Sequence, residues 1–179
     1  MKKVWPAKLP SAWMFPPDLA AKARRVIQGY AAQRRTLCLA ESCSGGLLAA
    51  LLTQEAGASR VLVGSLVAYS RQIKVDDLAV PQALLDAEGS VSLRVTLAMA
   101  QAAQRRAAVG LALTGLAGPA GDLSDISSSP VADIPVGRVY LVCLHQDKTY
   151  HKTCDYDGTR QEIRLAAVAD ALDMLLVLA

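Results

Sequence analysis

A short polar segment interrupts an apolar stretch in a way that is typical of a ligand-binding turn. Residues 36–54 read "TLCLAESCSGGLLAALLTQ", and the apolar run stops at Glu-Ser-Cys-Ser before two glycines. If a strand ends here and a helix follows, Ser42 lies at the carboxyl edge of a sheet, where open α/β folds bind ligands. Gly45 and Gly46 let backbone amides approach a ligand, and the first amides of the helix attract negative charge. The turn can therefore hold a phosphate or an oxyanion.

A purely local interpretation of the same turn is also open. Ser44 would cap the helix, and the two glycines would only permit close helix packing. Cys43 is another candidate nucleophile, but the two histidines, His145 and His151, fall on or beside a terminal hairpin. No histidine is therefore expected near that thiol to activate it.

Polar residues also follow two other predicted strands. "VAYSRQIK" places Tyr69 and Ser70 at the end of a second strand, and "LALTGLAGPAG" places Thr114 at the end of another. Lys74 lies just beyond Tyr69, and a lysine beside a serine can act as a base when desolvation lowers its pKa. The alternative for Lys74 is an ordinary solvated loop lysine.

Composition excludes several classes of protein. Lysine and arginine number 19 against 16 acidic residues in 179, a net charge of +3 with no long basic block, so nucleic acid is not expected as a partner. No apolar run reaches the roughly 20 residues of a membrane span, and the N-terminus lacks the apolar core of a secretory signal. We therefore expect a soluble, cytoplasmic protein that does not contact a membrane.

The cysteines and acidic residues do not predict a metal or cofactor. Cys38, Cys43, Cys143 and Cys154 contain no CxxC pair, so neither a disulfide framework nor a zinc site is indicated. Acidic residues and histidines do not cluster with ligand spacing. We expect no metal and no cofactor.

The periodicity of the chain predicts alternating helices and strands, which is typical of an α/β fold. Residues 1–17 read as an irregular arm, residues 18–179 as one domain, and residues 116–135 as a long loop. An aspartate cap at Asp18 is expected to start the first helix, and Gln146-Asp147 is expected to close a hairpin. Helices are predicted over 18–35, 46–55, 81–89, 93–107 and 159–179, and strands over 36–40, 60–70, 109–115, 137–145 and 148–156.

Six ordered segments resemble the CinA C-terminal domain family, whose enzymatic members are nicotinamide mononucleotide deamidases. They are "LAESCSGGLLAALLT", "GSLVAYSRQIK", "GSVS", "ALTGLAGPAG", "PVGRVYL" and "DGTRQEIRLAAVADAL". The resemblance implies a three-layer α/β/α sandwich around a mixed, mostly parallel sheet, assembled as a homodimer. It also implies hydrolysis of the carboxamide of nicotinamide mononucleotide, a small-molecule nucleotide substrate, to nicotinate mononucleotide and ammonia.

The resemblance also implies roles for individual residues. Ser42 matches the family nucleophile, and Tyr69 with Lys74 matches its proton-transfer partners, with the Ser42 proton passing to Lys74 directly or through the Tyr69 hydroxyl. The amides of Cys43, Ser44 and Gly45 would hold the oxyanion. Further positions are expected to contact the substrate, with Thr114 and Gly118 along the nucleotide and an arginine on its phosphate or carboxylate. The remaining substrate-binding candidates are Gly46, Arg160 and Arg164.

Two alternatives remain open at this point. Arg160 and Arg164 can instead form a helix-surface pair with Asp155, Asp157 or Glu162. The family usually has threonine at the position of Ser44, an exchange expected to be harmless because it keeps the cap hydroxyl. Its link before Pro-Val-Gly is shorter than residues 120–134 of this chain, and this departure favours a change or loss of activity. A catalytically silent homologue that binds a nucleotide or a protein partner and regulates is therefore the alternative to an amidohydrolase.

Overall fold

The computed structural model describes residues 15–118 and 134–179. Six helices and five strands occur in these residues. In chain order they are α1 (Pro17–Ala32), β1 (Leu37–Glu41), α2 (Leu47–Thr53), β2 (Leu62–Val67), α3 (Arg71–Asp76), α4 (Gln82–Glu88), α5 (Leu93–Gln104), β3 (Val109–Gly115), β4 (Arg138–His145), β5 (Lys148–Asp155) and α6 (Arg160–Leu176). Among them, no helix has both the length and the apolar character needed to cross a bilayer.

The strands form a mixed sheet in the order β2-β1-β3-β4-β5. Strand β1 is parallel to both β2 and β3, whereas β4 is antiparallel to β3 and β5. Glu41, the last residue of β1, pairs with Val67 of β2 and Leu113 of β3. The residues that follow these three strands therefore emerge at one edge of the sheet, which is where the candidate site lies.

Helices cover both faces of the sheet, so the predicted α/β/α sandwich with a mixed sheet is confirmed. Side chains alternate along β1, because successive residues of a strand point to opposite faces. Leu37 and Leu39 pack with α1, α2 and α6, whereas Cys38 and Ala40 pack with the helices on the other face, among them α4 and α5. Burial on both faces explains why the central strands are nearly continuous apolar runs.

The predicted elements differ from the structure in three details. Helix α1 begins at Pro17 with Pro16 at the N-cap, so Asp18 is not the cap but lies in the first turn, where its charge still favours the helix dipole. Strand β2 ends at Val67 instead of Ser70, and the sequence did not predict α3. Ser70 starts α3, since its hydroxyl accepts a hydrogen bond from the Ile73 amide.

The terminal hairpin agrees with the prediction. Strands β4 and β5 pair from His145 and Lys148 outward, so Gln146-Asp147 is the connection. Most of the predicted 116–135 loop lies outside the described residues, as do residues 1–14 of the predicted arm. At the loop's ends, the Gly137 amide donates to the Leu116 carbonyl at 2.7 Å, which extends the β3–β4 pair.

Candidate active site

Ser42 lies in a tight turn between β1 and α2, at the carboxyl edge of the sheet. Its amide donates to the Leu113 carbonyl at 3.0 Å, and its carbonyl accepts from the Gly45 amide at 3.0 Å. Gly45 and Gly46 have φ angles of +62° and +88°. Residues with a Cβ rarely adopt this left-handed conformation, so the two glycines are required by the turn itself. Ser42 is only 7% exposed.

Lys74 is directly beside Ser42. Its Nζ donates to Ser42 Oγ at 3.1 Å and to the Ala68 carbonyl at 3.0 Å. The residue lies on α3 and is 1% exposed, so the solvated loop lysine considered above is wrong. When the amine is neutral, the same contact allows its lone pair to accept the Ser42 proton.

The role of Glu41 was not predicted from the sequence. Its carboxylate is fully buried and accepts hydrogen bonds from Ser44 Oγ at 2.7 Å and from Ser65 Oγ at 3.0 Å. It also accepts from the backbone amides of Leu48 at 3.1 Å and Ala49 at 3.0 Å. Bonds to a charged group contribute about 1.5 to 3 kcal/mol each, so together they offset the several kcal/mol that burying an ion costs. An acid ending an apolar strand was the available signal.

This arrangement corrects one expectation about helix α2. Its first amides were expected to attract a ligand anion, but the amides of Leu48 and Ala49 are already bonded to Glu41. The negative charge at this helix terminus therefore comes from the chain itself. These two amides are therefore not available to a ligand anion.

Fewer backbone amides of the turn are available as oxyanion donors than expected. Gly45 donates to the Ser42 carbonyl, so its amide is committed to the turn. Within the described residues, the amides of Cys43 and Ser44 donate to no backbone carbonyl. These two amides are the remaining candidates for stabilising a charge that develops beside Ser42.

Cys43 does not fit the role of nucleophile. Burial raises the pKa of its thiol from 9.0 to about 11, and the nearby backbone amides and the charges of Lys74 and Arg164 offset this only in part. Since the thiolate is the reactive form, a thiol with this pKa stays protonated and unreactive near neutral pH.

Both arginines of α6 reach the site. Arg164 donates to the Ser44 carbonyl at 2.6 Å, and Arg160 donates to the Tyr69 hydroxyl at 2.8 Å. The helix-surface alternative is wrong for two of its three partners. Asp155 instead forms an ion pair with Arg138, and Glu162 accepts from Thr159 in the capping box of α6.

Tyr69 lies on the rim of the site and is 59% exposed. The structure brings Ser42 together with Lys74, and Tyr69 together with Arg160. A relay of the Ser42 proton through the Tyr69 hydroxyl therefore stays a prediction, whereas a direct transfer to Lys74 has its hydrogen bond in place.

Thr114 and Gly118 are both buried near the same edge. The Thr114 hydroxyl donates to the Ser90 carbonyl at 3.4 Å, which connects the end of β3 to the segment before α5. Gly118 is the last described residue before 119–133, so the loop that adjoins it lies outside the described residues. In the part of the chain described, no group of three or more His, Cys, Asp or Glu side chains is arranged to hold a metal ion.

The sequence model of the CinA C-terminal domain family matches residues 19–178. The chain belongs to this family. A curated CinA-like protein from Frankia casuarinae is 40% identical over 153 residues, which cover 84% of this chain and 33% of the relative. One from Geotalea daltonii is 38% identical over 142 residues, which cover 78% of this chain and 32% of the relative. The chain thus spans about a third of the length of these curated CinA-like proteins.

Solved structures of the CinA superfamily have the same fold. The competence/damage inducible protein CihA from Agrobacterium tumefaciens matches with a TM-score of 0.84 at 37% identity, covering 92% of this chain and 98% of that chain. A CinA superfamily protein from Escherichia coli matches with a TM-score of 0.81 at 27% identity, covering 93% of this chain and 94% of that chain.

Proposed function

We propose that this CinA-family domain is a serine amidohydrolase that converts nicotinamide mononucleotide to nicotinate mononucleotide and ammonia. The observation that carries the proposal is the buried contact of 3.1 Å between Lys74 Nζ and Ser42 Oγ. Acyl transfer without histidine needs a nucleophile and an adjacent base. Here these are a hydroxyl and an amine that is 1% exposed. Membership of the family supports the class of protein, and the substrate follows from the resemblance of the motifs.

In the first half of the reaction, neutral Lys74 takes the Ser42 proton while Oγ attacks the carboxamide carbon. The amides of Cys43 and Ser44 donate to the oxyanion of the tetrahedral intermediate, and losing one such donor typically costs about 100-fold to 1,000-fold in rate. Protonated Lys74 then returns the proton to the leaving nitrogen. Ammonia departs and an ester between Ser42 and the nicotinoyl group remains.

Water completes the reaction by hydrolysing that ester. Lys74 removes a proton from the attacking water, the C–O bond to Ser42 breaks, and the proton returns to Ser42 Oγ. The product is nicotinate mononucleotide with a free carboxylate. Lys74 thus serves as base and acid in each half of the cycle.

Arg160 is the residue we assign to the substrate phosphate. Its guanidinium reaches the rim through the Tyr69 contact, whereas Arg164 already donates to the Ser44 carbonyl at 2.6 Å. An arginine at the N-terminus of α6 can bind a phosphate with two parallel N–H bonds. Tyr69 would orient that guanidinium through the same hydrogen bond.

The test is ammonia and nicotinate mononucleotide release by the purified protein and by Ser42→Ala and Lys74→Met. We expect both variants to lose activity by at least about 100-fold, the usual contribution of a general base. Lys148→Met, on the exposed hairpin, is the matched control and should retain activity. A folded wild-type protein that releases no ammonia would contradict the proposal and favour the silent nucleotide-binding or regulatory homologue.

A cytoplasmic location and a homodimer are part of this proposal. Nicotinamide mononucleotide is a phosphorylated metabolite, so an enzyme acting on it is expected where such metabolites are held. Light scattering on the purified chain measures its mass in solution, and a mass of one chain would contradict the homodimer.

A further inference from the structure

We propose that Glu41 is a positioning residue that sets the geometry of the Ser42 nucleophile and of the oxyanion donor at Ser44. The kinetic part of this inference rests on the proposed amidohydrolase function. The structural part rests on one buried carboxylate that ties three segments together: the turn after β1, the first turn of α2, and β2.

Every acceptor site of the Glu41 carboxylate is used in these contacts. A carboxylate offers about four lone-pair sites, and Glu41 accepts from two serine hydroxyls and two backbone amides. Backbone amides can only donate, and one of them donates to each oxygen of this carboxylate. It therefore has no free site from which to take a proton from the substrate or Ser42, and it acts through its neighbours.

Ser44 is the neighbour through which the effect reaches the reaction. Its hydroxyl donates to Glu41 at 2.7 Å, while its carbonyl accepts from Arg164 at 2.6 Å. Ser44 is thus held at both its side chain and its carbonyl. It lies two positions after Ser42, and its amide is one of the two candidate oxyanion donors. Since a displacement of about 1 Å can cost on the order of 100-fold in rate, this restraint matters to catalysis.

The same restraint sets the direction of Ser42. The turn leads into α2 through Gly45 and Gly46, which have positive φ angles and no side chains that could fix the turn by packing. Helix α2 has Gly46 at its N-cap and no side-chain cap from that residue. Glu41 supplies that cap from the preceding strand, so one carboxylate fixes both the helix start and the turn that carries the nucleophile.

Substitutions at Ser44 separate positioning from folding. Ser44→Ala removes only the 2.7 Å bond to Glu41, and Ser44→Thr keeps a hydroxyl for it. Glu41→Gln keeps the shape but puts an NH₂ group where an amide of α2 needs an acceptor. Thr53→Ala is the matched control, because it removes a hydroxyl on α2 that bonds the Ala49 carbonyl and does not touch Glu41.

Two rates are measured for each variant, alongside thermal unfolding. One is steady-state hydrolysis of nicotinamide mononucleotide, and the other is covalent labelling of Ser42 by a small sulfonyl fluoride, in which Oγ displaces fluoride. We expect Ser44→Ala and Glu41→Gln to slow labelling and kcat by about 10-fold to 100-fold with little change in KM. Ser44→Thr should recover most of that loss, and Thr53→Ala should match the wild type.

The two proposals fail in different ways. Wild-type labelling rates in folded Ser44→Ala and Glu41→Gln would overturn the positioning role, whatever the substrate is. If Glu41→Gln does not fold, the Ser44 pair decides alone: equal labelling of Ser44→Ala and Ser44→Thr overturns it. Slowed labelling in a protein that hydrolyses no nicotinamide mononucleotide supports positioning and removes only the proposed substrate.

Discussion

The inner and outer parts of the candidate site are built differently. The inner part consists of Glu41, Ser42 and Lys74, all buried and joined to their surroundings by hydrogen bonds from several segments. The outer part consists of Tyr69 and Arg160, which meet in a single exposed contact of 2.8 Å. Hydrogen bonds strengthen in a low dielectric and are screened near water. The inner part is therefore suited to proton transfer, and the outer part to admitting and holding a charged substrate.

This difference predicts where function is most sensitive to substitution. The inner groups are expected to act together, because each one is oriented by the others or exchanges a proton with them. Rim groups contribute binding energy that is partly replaced by water when they are lost.

The largest effect is expected from a double-mutant cycle on the inner pair. Ser42→Ala and Lys74→Met should each lower kcat by at least about 100-fold, and the double variant should lose little further, since the two groups serve the same step. Ammonia release at saturating nicotinamide mononucleotide measures this. Independent, multiplying losses would show that Lys74 does not act through Ser42, although the two are 3.1 Å apart.

A smaller effect, on binding, is expected at Arg160. A hydrogen bond to a charged group contributes about 1.5 to 3 kcal/mol, so Arg160→Gln should raise KM by about 10-fold to 100-fold. Its kcat should change much less. Arg25→Gln, on the exposed side of α1, removes the same charge away from the site and serves as the control. A loss confined to kcat would place Arg160 in the inner part instead.

The smallest effect is expected at Tyr69. Its hydroxyl contacts Arg160 and the side chain is 59% exposed. Tyr69→Phe removes one exposed hydrogen bond of about 0.5 to 1.5 kcal/mol, so kcat/KM should fall by no more than about 10-fold. A fall in kcat as large as that of Lys74→Met would mean that the hydroxyl relays the Ser42 proton, and the boundary drawn here between inner and outer parts would be wrong.

Much of the fold follows from local patterns. The buried strands, the helices α1, α2, α5 and α6, and the Gln146-Asp147 hairpin all carry periodicity or turn chemistry that a few neighbouring residues contain. Helix α3 was missed because its six residues, Arg71–Asp76, are too few to show a helical period and are mostly polar. Without α3, a buried position for Lys74 could not be anticipated.

The contacts of Glu41 are a clearer case of a feature that neighbouring residues in the sequence do not predict. Its partners come from the turn, from α2 and from β2, and Ser65 is 24 positions away in the chain. An acid at the end of an apolar strand suggests a functional group, but its hydrogen-bond donors come from the turn and from α2, and the Ser65 donor is brought to it by strand register. The same is true of Arg164, which contacts Ser44 across 120 positions.

The reactive groups of this protein can be identified from its sequence. They are a serine at the end of a strand, two glycines that the turn requires, a lysine beyond the second strand, and arginines on the last helix. Only the tertiary structure decided which of these groups meet. Burial and hydrogen bonding depend on long-range pairing, here Glu41 with Val67 and Leu113, and that pairing places Ser42 beside Lys74 while leaving Tyr69 on the rim.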